Sequence, residues 1–279
     1  MISRCYLEIT NVCNLNCLFC PKTGRKKHCM TPDEFEILTN KLLGKIKFLY
    51  FHMMGEPLLH PHLPRFIHRA KEKEFVPIVT TNGTLLKDAH GVIDAMPYKV
   101  QISLHSQEGN GIVQLDEYIQ QVMFFAQEAS LQGIIVVLRL WNEGGYNSQN
   151  EKLVELIASH APQPWQRRHD GWKIASNLYI EYDKMFEWPD SQHDVYHEDA
   201  FFCYALRNQI GILADGSVVP CCLDHDGDIT LGNLFEQTLE EILNTPRAQA
   251  LYKGFTNHIA VEPLCSRCGY ATITKRFRK

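Results

Sequence analysis

The chain has 279 residues, 45% of them hydrophobic and 22% charged, and a formal net charge of −4. That length allows one or two domains around a substantial core, and the slight negative charge offers no general attraction to nucleic acid. No apolar run approaches the ~18 residues of a membrane span, and Met1 leads within a few residues into a strand-like segment, so no membrane, no signal peptide and a cytoplasmic location are expected.

In chain order, apolar runs alternate with amphipathic segments as in repeated β-α units. A first strand is expected over 5–9, and it leads into Cys13-x-x-x-Cys17-x-x-Cys20. Ten cysteines in a chain without an export signal argue for metal ligation over disulfides. A cubane 4Fe-4S cluster held by three thiolates keeps one iron open to a small molecule; zinc ligation or inert reduced thiols are the alternatives. The run Arg25-Lys26-Lys27, like 275–279, reads as solvated. Thr31-Pro32-Asp33-Glu34 has the cap, proline and acids that open a helix.

A second strand over 48–53 ends at Gly55-Glu56-Pro57, where a glycine permits close backbone approach and an acid or carbonyl can accept from an ammonium. After a helix near Pro61, a third strand over 76–80 ends in Thr81-Asn82-Gly83, also a routine tight turn. A helix near Thr84 precedes a fourth strand over 99–104 that carries Ser103. A helix near Leu115 precedes a fifth over 134–140, in which Arg139 offers a guanidinium fork for two carboxylate oxygens or for a structural ion pair. A helix near Asn150 and a sixth strand over 177–181 complete the series. The expected architecture is α/β, a parallel barrel-like sheet, open or closed. Ligand chemistry in such sheets collects at the carboxyl ends of strands, where these motifs stand.

From Pro162 to Asp199 a segment rich in tryptophan, proline and histidine reads as a long loop, whose Trp165, Trp172, Phe186 and Trp188 could close over substrate or pack between domains. Histidines such as His60, His62, His105, His193 and His197 are too scattered to define a metal site. Beyond it, Cys203, Cys221 and its neighbour Cys222, and Cys265-Ser266-Arg267-Cys268 supply a four-thiolate set that suits a closed 4Fe-4S cluster or structural zinc. A hairpin turning at Asp215-Gly216 and a helix over 237–244 lie between them. Cys5 reads as a core thiol.

The Cys13–Cys20 string resembles the signature of the radical S-adenosylmethionine (SAM) superfamily. The resemblance implies that Cys13, Cys17 and Cys20 hold a 4Fe-4S cluster, that SAM chelates its open iron, and that reductive cleavage of SAM yields a 5'-deoxyadenosyl radical. It places Phe19 near the adenine, with ordinary core filling as the alternative. Gly55-Glu56-Pro57 resembles the family's GGEP element, which binds the SAM amino group, with Met54 in place of the first glycine. By the same resemblance Asn82 is a turn residue or a cofactor contact. Ser103 would meet the ribose or carboxylate of SAM or else bond the backbone at its strand end, and Arg139 would meet the methionyl carboxylate. Six strands match the family's partial (β/α)6 TIM-like barrel.

The segment 203–270 resembles the SPASM or shortened twitch extension, a β-hairpin plus helix. This implies an auxiliary 4Fe-4S cluster on Cys203, Cys221, Cys265 and Cys268, with Cys221 preferred over Cys222. The expected domains are a core over 1–182, a connecting loop over 183–202 and the auxiliary domain with its tail over 203–279. Two clusters and SAM imply an external electron donor such as flavodoxin or ferredoxin. The single auxiliary site resembles that of twitch-domain aminocyclitol dehydrogenases, which implies a radical SAM oxidoreductase that oxidises a hydroxylated small molecule by two electrons. Peptide or protein modification by cross-linking, epimerisation or maturation is the alternative, and a non-catalytic iron-sulfur or zinc scaffold a remote one. No residue is assigned as the catalytic acid, base or hydrogen donor.

Overall fold

The structure, a computed structural model, describes residues 2–111, 114–190, 192, 194 and 202–274. His193, His197, part of the connecting segment and the basic run 275–279 lie outside these.

Strand β1 (Arg4–Leu7) is followed by α1 (Pro32–Leu42), β2 (Phe48–Phe51), α2 (Leu63–Glu72), β3 (Val76–Thr81) and α3 (His90–Ala95). The alternation continues through β4 (Lys99–Ser103), α4 (Leu115–Leu131), β5 (Ile135–Glu143) and α5 (Asn150–His160). Then come β6 (Gln166–Arg168), β7 (Gly171–Ala175) and β8 (Leu178–Lys184). The segment expected as a loop from Pro162 therefore carries an antiparallel hairpin, β6 with β7, ahead of the sixth expected strand, β8. The C-terminal part contributes β9 (Gln209–Ile212), β10 (Ser217–Val219), β11 (Gly232–Asn233), α6 (Leu239–Leu243), α7 (Pro246–Thr256), α8 (Pro263–Ser266) and α9 (Gly269–Thr274).

Among the described residues the strands form one open, eleven-stranded sheet in the order β11-β10-β9-β1-β2-β3-β4-β5-β8-β7-β6. From β1 through β5 to β8 each neighbour is parallel, which needs crossover connections of the β-α-β kind, and the arrangement is compatible with the partial barrel expected. Beyond that expectation, β9 pairs in parallel with β1, so the C-terminal hairpin continues the core sheet through Cys5↔Ile210 and Leu7↔Ile212.

The two faces of this sheet differ because side chains alternate along each strand. Cys5, Leu7, Leu49, Phe51 and Val79 are fully buried against the helical layer. There Phe35 of α1 stacks on Phe66 of α2, ring centroids 4.2 Å apart. The opposite face carries Tyr6, Tyr50, Gln101, Ser103 and Arg139, and it encloses a cavity in place of a packed apolar layer. Local caps agree with this arrangement: Thr31 and Glu34 form a capping box at α1, and Thr238 and Glu241 repeat it at α6.

Candidate active site

The cavity occupies about 630 Å³. Its walls include Cys13, Cys17 and Cys20 from the loop after β1, and Cys203, Cys221, Cys222 and Cys268 from the C-terminal part. Both cysteine sets therefore open on one space; Cys265 is half-buried behind that wall.

The first cysteine loop is held from several directions. Lys22 donates through Nζ to the carbonyls of Cys17 and Cys20, the latter at 2.8 Å. Asn110 donates through Nδ2 to Cys17 Sγ at 3.0 Å, and Leu18 N donates to Gly109 O at 3.0 Å. Phe19 rests 5.3 Å from the His105 ring, and a Cβ at Gly109 would stand 2.8 Å from Phe19 Cε1, so only glycine leaves room for that ring. Burial raises the Cys13 and Cys17 thiols above their ordinary range.

Gly55 has φ +80°, and a Cβ there would lie 2.3 Å from Thr10 O and 2.9 Å from Val12 O. The Gly55 backbone thus packs directly against the segment that leads into Cys13, where only glycine leaves room. Glu56 is buried; its carboxylate accepts from Leu58 N at 3.0 Å and Asn82 N at 2.7 Å, and burial raises it. Pro57 opens the short 3-10 turn that Glu56 caps. Asn82 donates through Nδ2 to Asn14 Oδ1 at 2.9 Å, while its own carbonyl accepts from Tyr118 Oη at 2.9 Å. The second and third expected motifs are therefore knitted together beneath the first.

Ser103 and Arg139 are register partners on β4 and β5, and both line the cavity. The Arg139 guanidinium lies 3.8 Å over the Trp141 ring. It is nine-tenths buried, and its Nε has no hydrogen-bond partner among the described residues. Burial pulls its pKa down to about 10, opposed by the charge of Glu181. A buried donor left open in a cavity wall is costly and fits an anionic ligand group. Burial, then the Arg139 charge, depress His52 to about 3, and burial depresses His105 to about 4, so both imidazoles in the wall are neutral.

In the C-terminal set, the adjacent cysteines diverge. Cys221 packs on the main core, as do Cys203, Cys265 and Cys268; burial raises its thiol, and Cys203, Cys222, Cys268 and Cys265 add to that. Cys222 packs instead with Tyr6, Met53, Leu213 and Val219 on the cavity side. Burial pushes Cys222 up to about 12, opposed first by its own backbone and then by the charge of Arg139. Among the described residues no three Cys, His, Asp or Glu side chains converge as a single ion needs. Zinc holds its sulfurs at about 2.3 Å from one point, whereas a cubane takes each thiolate on a different iron.

A model of the radical SAM superfamily matches residues 7–157, more than half of the chain. The chain belongs to the radical SAM superfamily. A second family model, an iron-sulfur cluster-binding domain, matches residues 203–269. Among curated proteins, the chain is 38% identical over 87 residues to a tungsten-containing aldehyde ferredoxin oxidoreductase cofactor-modifying protein of Pyrococcus furiosus, covering 30% of this chain and 24% of that one. It is 28% identical over 169 residues to a GTP 3',8-cyclase of Chlorobaculum tepidum, covering 55% and 49%. The chain thus spans half or less of the length of these relatives. Among solved structures, BtrN in complex with AdoMet and 2-DOIA superposes with TM-score 0.62 at 19% identity, covering 96% of this chain and 93% of that one. SuiB of Streptococcus suis gives 0.62 at 16%, covering 98% and 72%, and anSMEcpe with bound AdoMet gives 0.65 at 11%, covering 99% and 92%.

Membership of this superfamily implies SAM and a 4Fe-4S cluster, and the C-terminal iron-sulfur cluster-binding domain an auxiliary cluster. The residues fit them: three cysteines of the family spacing share the cavity with a close-packed Gly55 turn and a buried Arg139 whose Nε has no hydrogen-bond partner among the described residues.

Sequence reasoning missed several residues. Arg25, expected as solvated, is half-buried and forms a bidentate pair with the fully buried Glu8, while Lys26 and Lys27 are exposed. A charge inside the apolar run of β1 was the available signal for Glu8. Tyr6, Tyr50, His52 and Asn110 carried none. Trp165 and Trp172 pack on the core at the β6–β7 hairpin, at the sheet edge opposite the extension and so not between core and extension, whereas Phe186 and Trp188 line the cavity.

Proposed function

We propose that the enzyme oxidises a hydroxylated small molecule by two electrons, removing a hydrogen atom from carbon and a proton from the neighbouring hydroxyl. The observation that carries this reading is the single cavity shared by the two cysteine sets. Reductive cleavage of SAM at one cluster supplies a 5'-deoxyadenosyl radical, and a second cluster supplies an acceptor for the electron left on the substrate. In this reading Cys13, Cys17 and Cys20 hold the first cluster, and Cys203, Cys221, Cys265 and Cys268 the second. Gly55, Glu56 and Pro57 shape the amino-group pocket of SAM, Phe19 flanks the adenine, Asn82 fixes the loop below it, and Ser103 and Arg139 take the carboxylate. Thr80 and Gln101, hydrogen-bonded at 3.2 Å, give the substrate space polar contacts suited to hydroxyls. Phe186 and Trp188 line the same cavity, and in this reading their rings would limit water around the substrate. The domains are a core over 1–182, a connection over 183–202 and an auxiliary domain from 203. A flavodoxin- or ferredoxin-like protein is the electron donor, and the cytoplasm is the location.

A second reading, peptide modification, draws on the SuiB structure with precursor peptide SuiA and the anSMEcpe structure with Cp18Cys peptide, whose folds this chain shares. Anaerobic reconstitution separates the readings. About eight irons, a reduced signal altered by SAM, and deuterium transfer from a C-deuterated polyol or amino sugar into 5'-deoxyadenosine with ketone formation are expected. Deuterium transfer from peptides alone, or a redox-neutral product, would overturn oxidation of a small molecule.

A further inference from the structure

Glu8 stands at the carboxyl end of β1, completely enclosed. Arg25 meets it with two parallel hydrogen bonds, Nη1 to Oε1 and Nη2 to Oε2, both 2.8 Å. The same two oxygens accept from backbone of two further segments: Met54 N at 3.2 Å, next to Gly55, and Ala214 N at 3.2 Å, beside the hairpin turn of the extension. The Glu8 backbone N–H also donates to Ile212 O at 2.9 Å. Arg25 completes the circuit by donating through Nε to His225 O at 2.9 Å. Thr23 and Gly24 add hydrogen bonds to Asp226 from the same loop, Gly24 N at 3.2 Å.

One carboxylate therefore joins the loop that follows the first cysteine triad, the Gly55 turn and the hairpin that leads to Cys221. A buried ion pair adds little net stability over an apolar isostere, because both charges are desolvated. It does impose geometry: a carboxylate with two oxygens each bonded twice admits one arrangement of its four donors. We propose that Glu8, with Arg25, is a positioning pair that sets the extension against the SAM-binding loops, and so sets the separation of the two cluster sites across the cavity. Its importance for turnover rests on the reading of the extension as the acceptor of the second electron.

The test uses the reconstituted full chain carrying Glu8→Gln, which keeps volume but loses charge, and Arg25→Lys, which keeps charge but loses the fork. Amide hydrogen exchange at Met54 and Ala214 is expected to rise together, about tenfold, in both variants, while Val79 and Val100 on the buried face of β3 and β4 stay unchanged. In paramagnetic resonance of the reduced enzyme, the magnetic interaction between the two centres is expected to broaden in the variants, with iron content unchanged. A rise spread evenly over core amides would mean lost stability alone and overturn the proposal, as would a rise at only one of the two loops. A single signal in the unsubstituted enzyme would remove the second cluster and the oxidative reading, while the amide result would still judge the positioning pair.

Discussion

Gly55 shows how one backbone position carries a site. With φ +80° and Thr10 O only 2.3 Å from a built Cβ, alanine there must push the turn away from the cysteine loop. Gly55→Ala is expected to weaken SAM binding to the reconstituted enzyme at least about tenfold, some 1.4 kcal/mol, by calorimetry. Gly24→Ala, with nothing within 4 Å, should bind SAM as the parent does. The diverging neighbours Cys221 and Cys222 invite a second comparison. Cys221→Ser is expected to lose about four irons and Cys222→Ser none, by iron and sulfide analysis. Loss from the Cys222 variant alone would reverse the ligand assignment. Spacing in the chain identified the triad because its ligands are local. It left Cys221 and Cys222 open, since what tells neighbours apart is the different cluster of side chains each packs on.

Helix α1 was legible down to its cap, because Thr31, Pro32 and Glu34 act within a single turn. Its attachment to α2 was not, because Glu36 finds Arg69 at 2.7 Å and Lys73 at 2.7 Å only once the helices pack. The Arg69 hydrogen bond holds the Glu36 carboxyl down to about 2 against its ordinary 4.5, chiefly against a small burial penalty. A carboxyl depressed in the folded state contributes fully above about pH 4.5 and loses that contribution as pH falls toward about 2. Solvent screens this largely exposed pair, so the effect is small. Glu36→Gln is expected to flatten the acid limb of the melting-temperature profile in that window and to leave neutral pH little changed. An identical limb would show the pair to be without weight. Helix α7 escaped the sequence reading although Thr245 and Pro246 mark its start, because its apolar stripe is short and its partners lie elsewhere.

For the molecule as a whole, the decisive feature is the parallel pairing of β9 with β1, which makes the extension part of the core sheet. Ending the chain at residue 202 would strip β1 of its β9 neighbour, leaving only β2, and expose the N–H and C=O groups of that edge beside the buried Cys5 and Leu7. Such a truncated protein is expected to aggregate, by size-exclusion chromatography, whereas the full chain remains dispersed. A monodisperse truncated protein with an intact SAM-responsive cluster would show that the pairing is dispensable. Among the described residues, no helix is long and apolar enough to cross a membrane.

What could be read from the chain was whatever depends on neighbours in sequence: six parallel strands and their helices, the Cys13–Cys20 triad, the Gly55 turn and the C-terminal cysteine set. Alternation, caps and ligand spacing are local, and local chemistry survives being written in one dimension. What needed the folded molecule was whatever joins distant segments: the cavity shared by both cysteine sets, the open Nε of Arg139, the different packing of Cys221 and Cys222, and the Glu8–Arg25 pair. The physical reason is desolvation. A charge or thiol acquires its role when folding removes its water and supplies partners from elsewhere in the chain, and those partners, some two hundred residues apart for Glu8 and Ala214, leave no periodicity to detect.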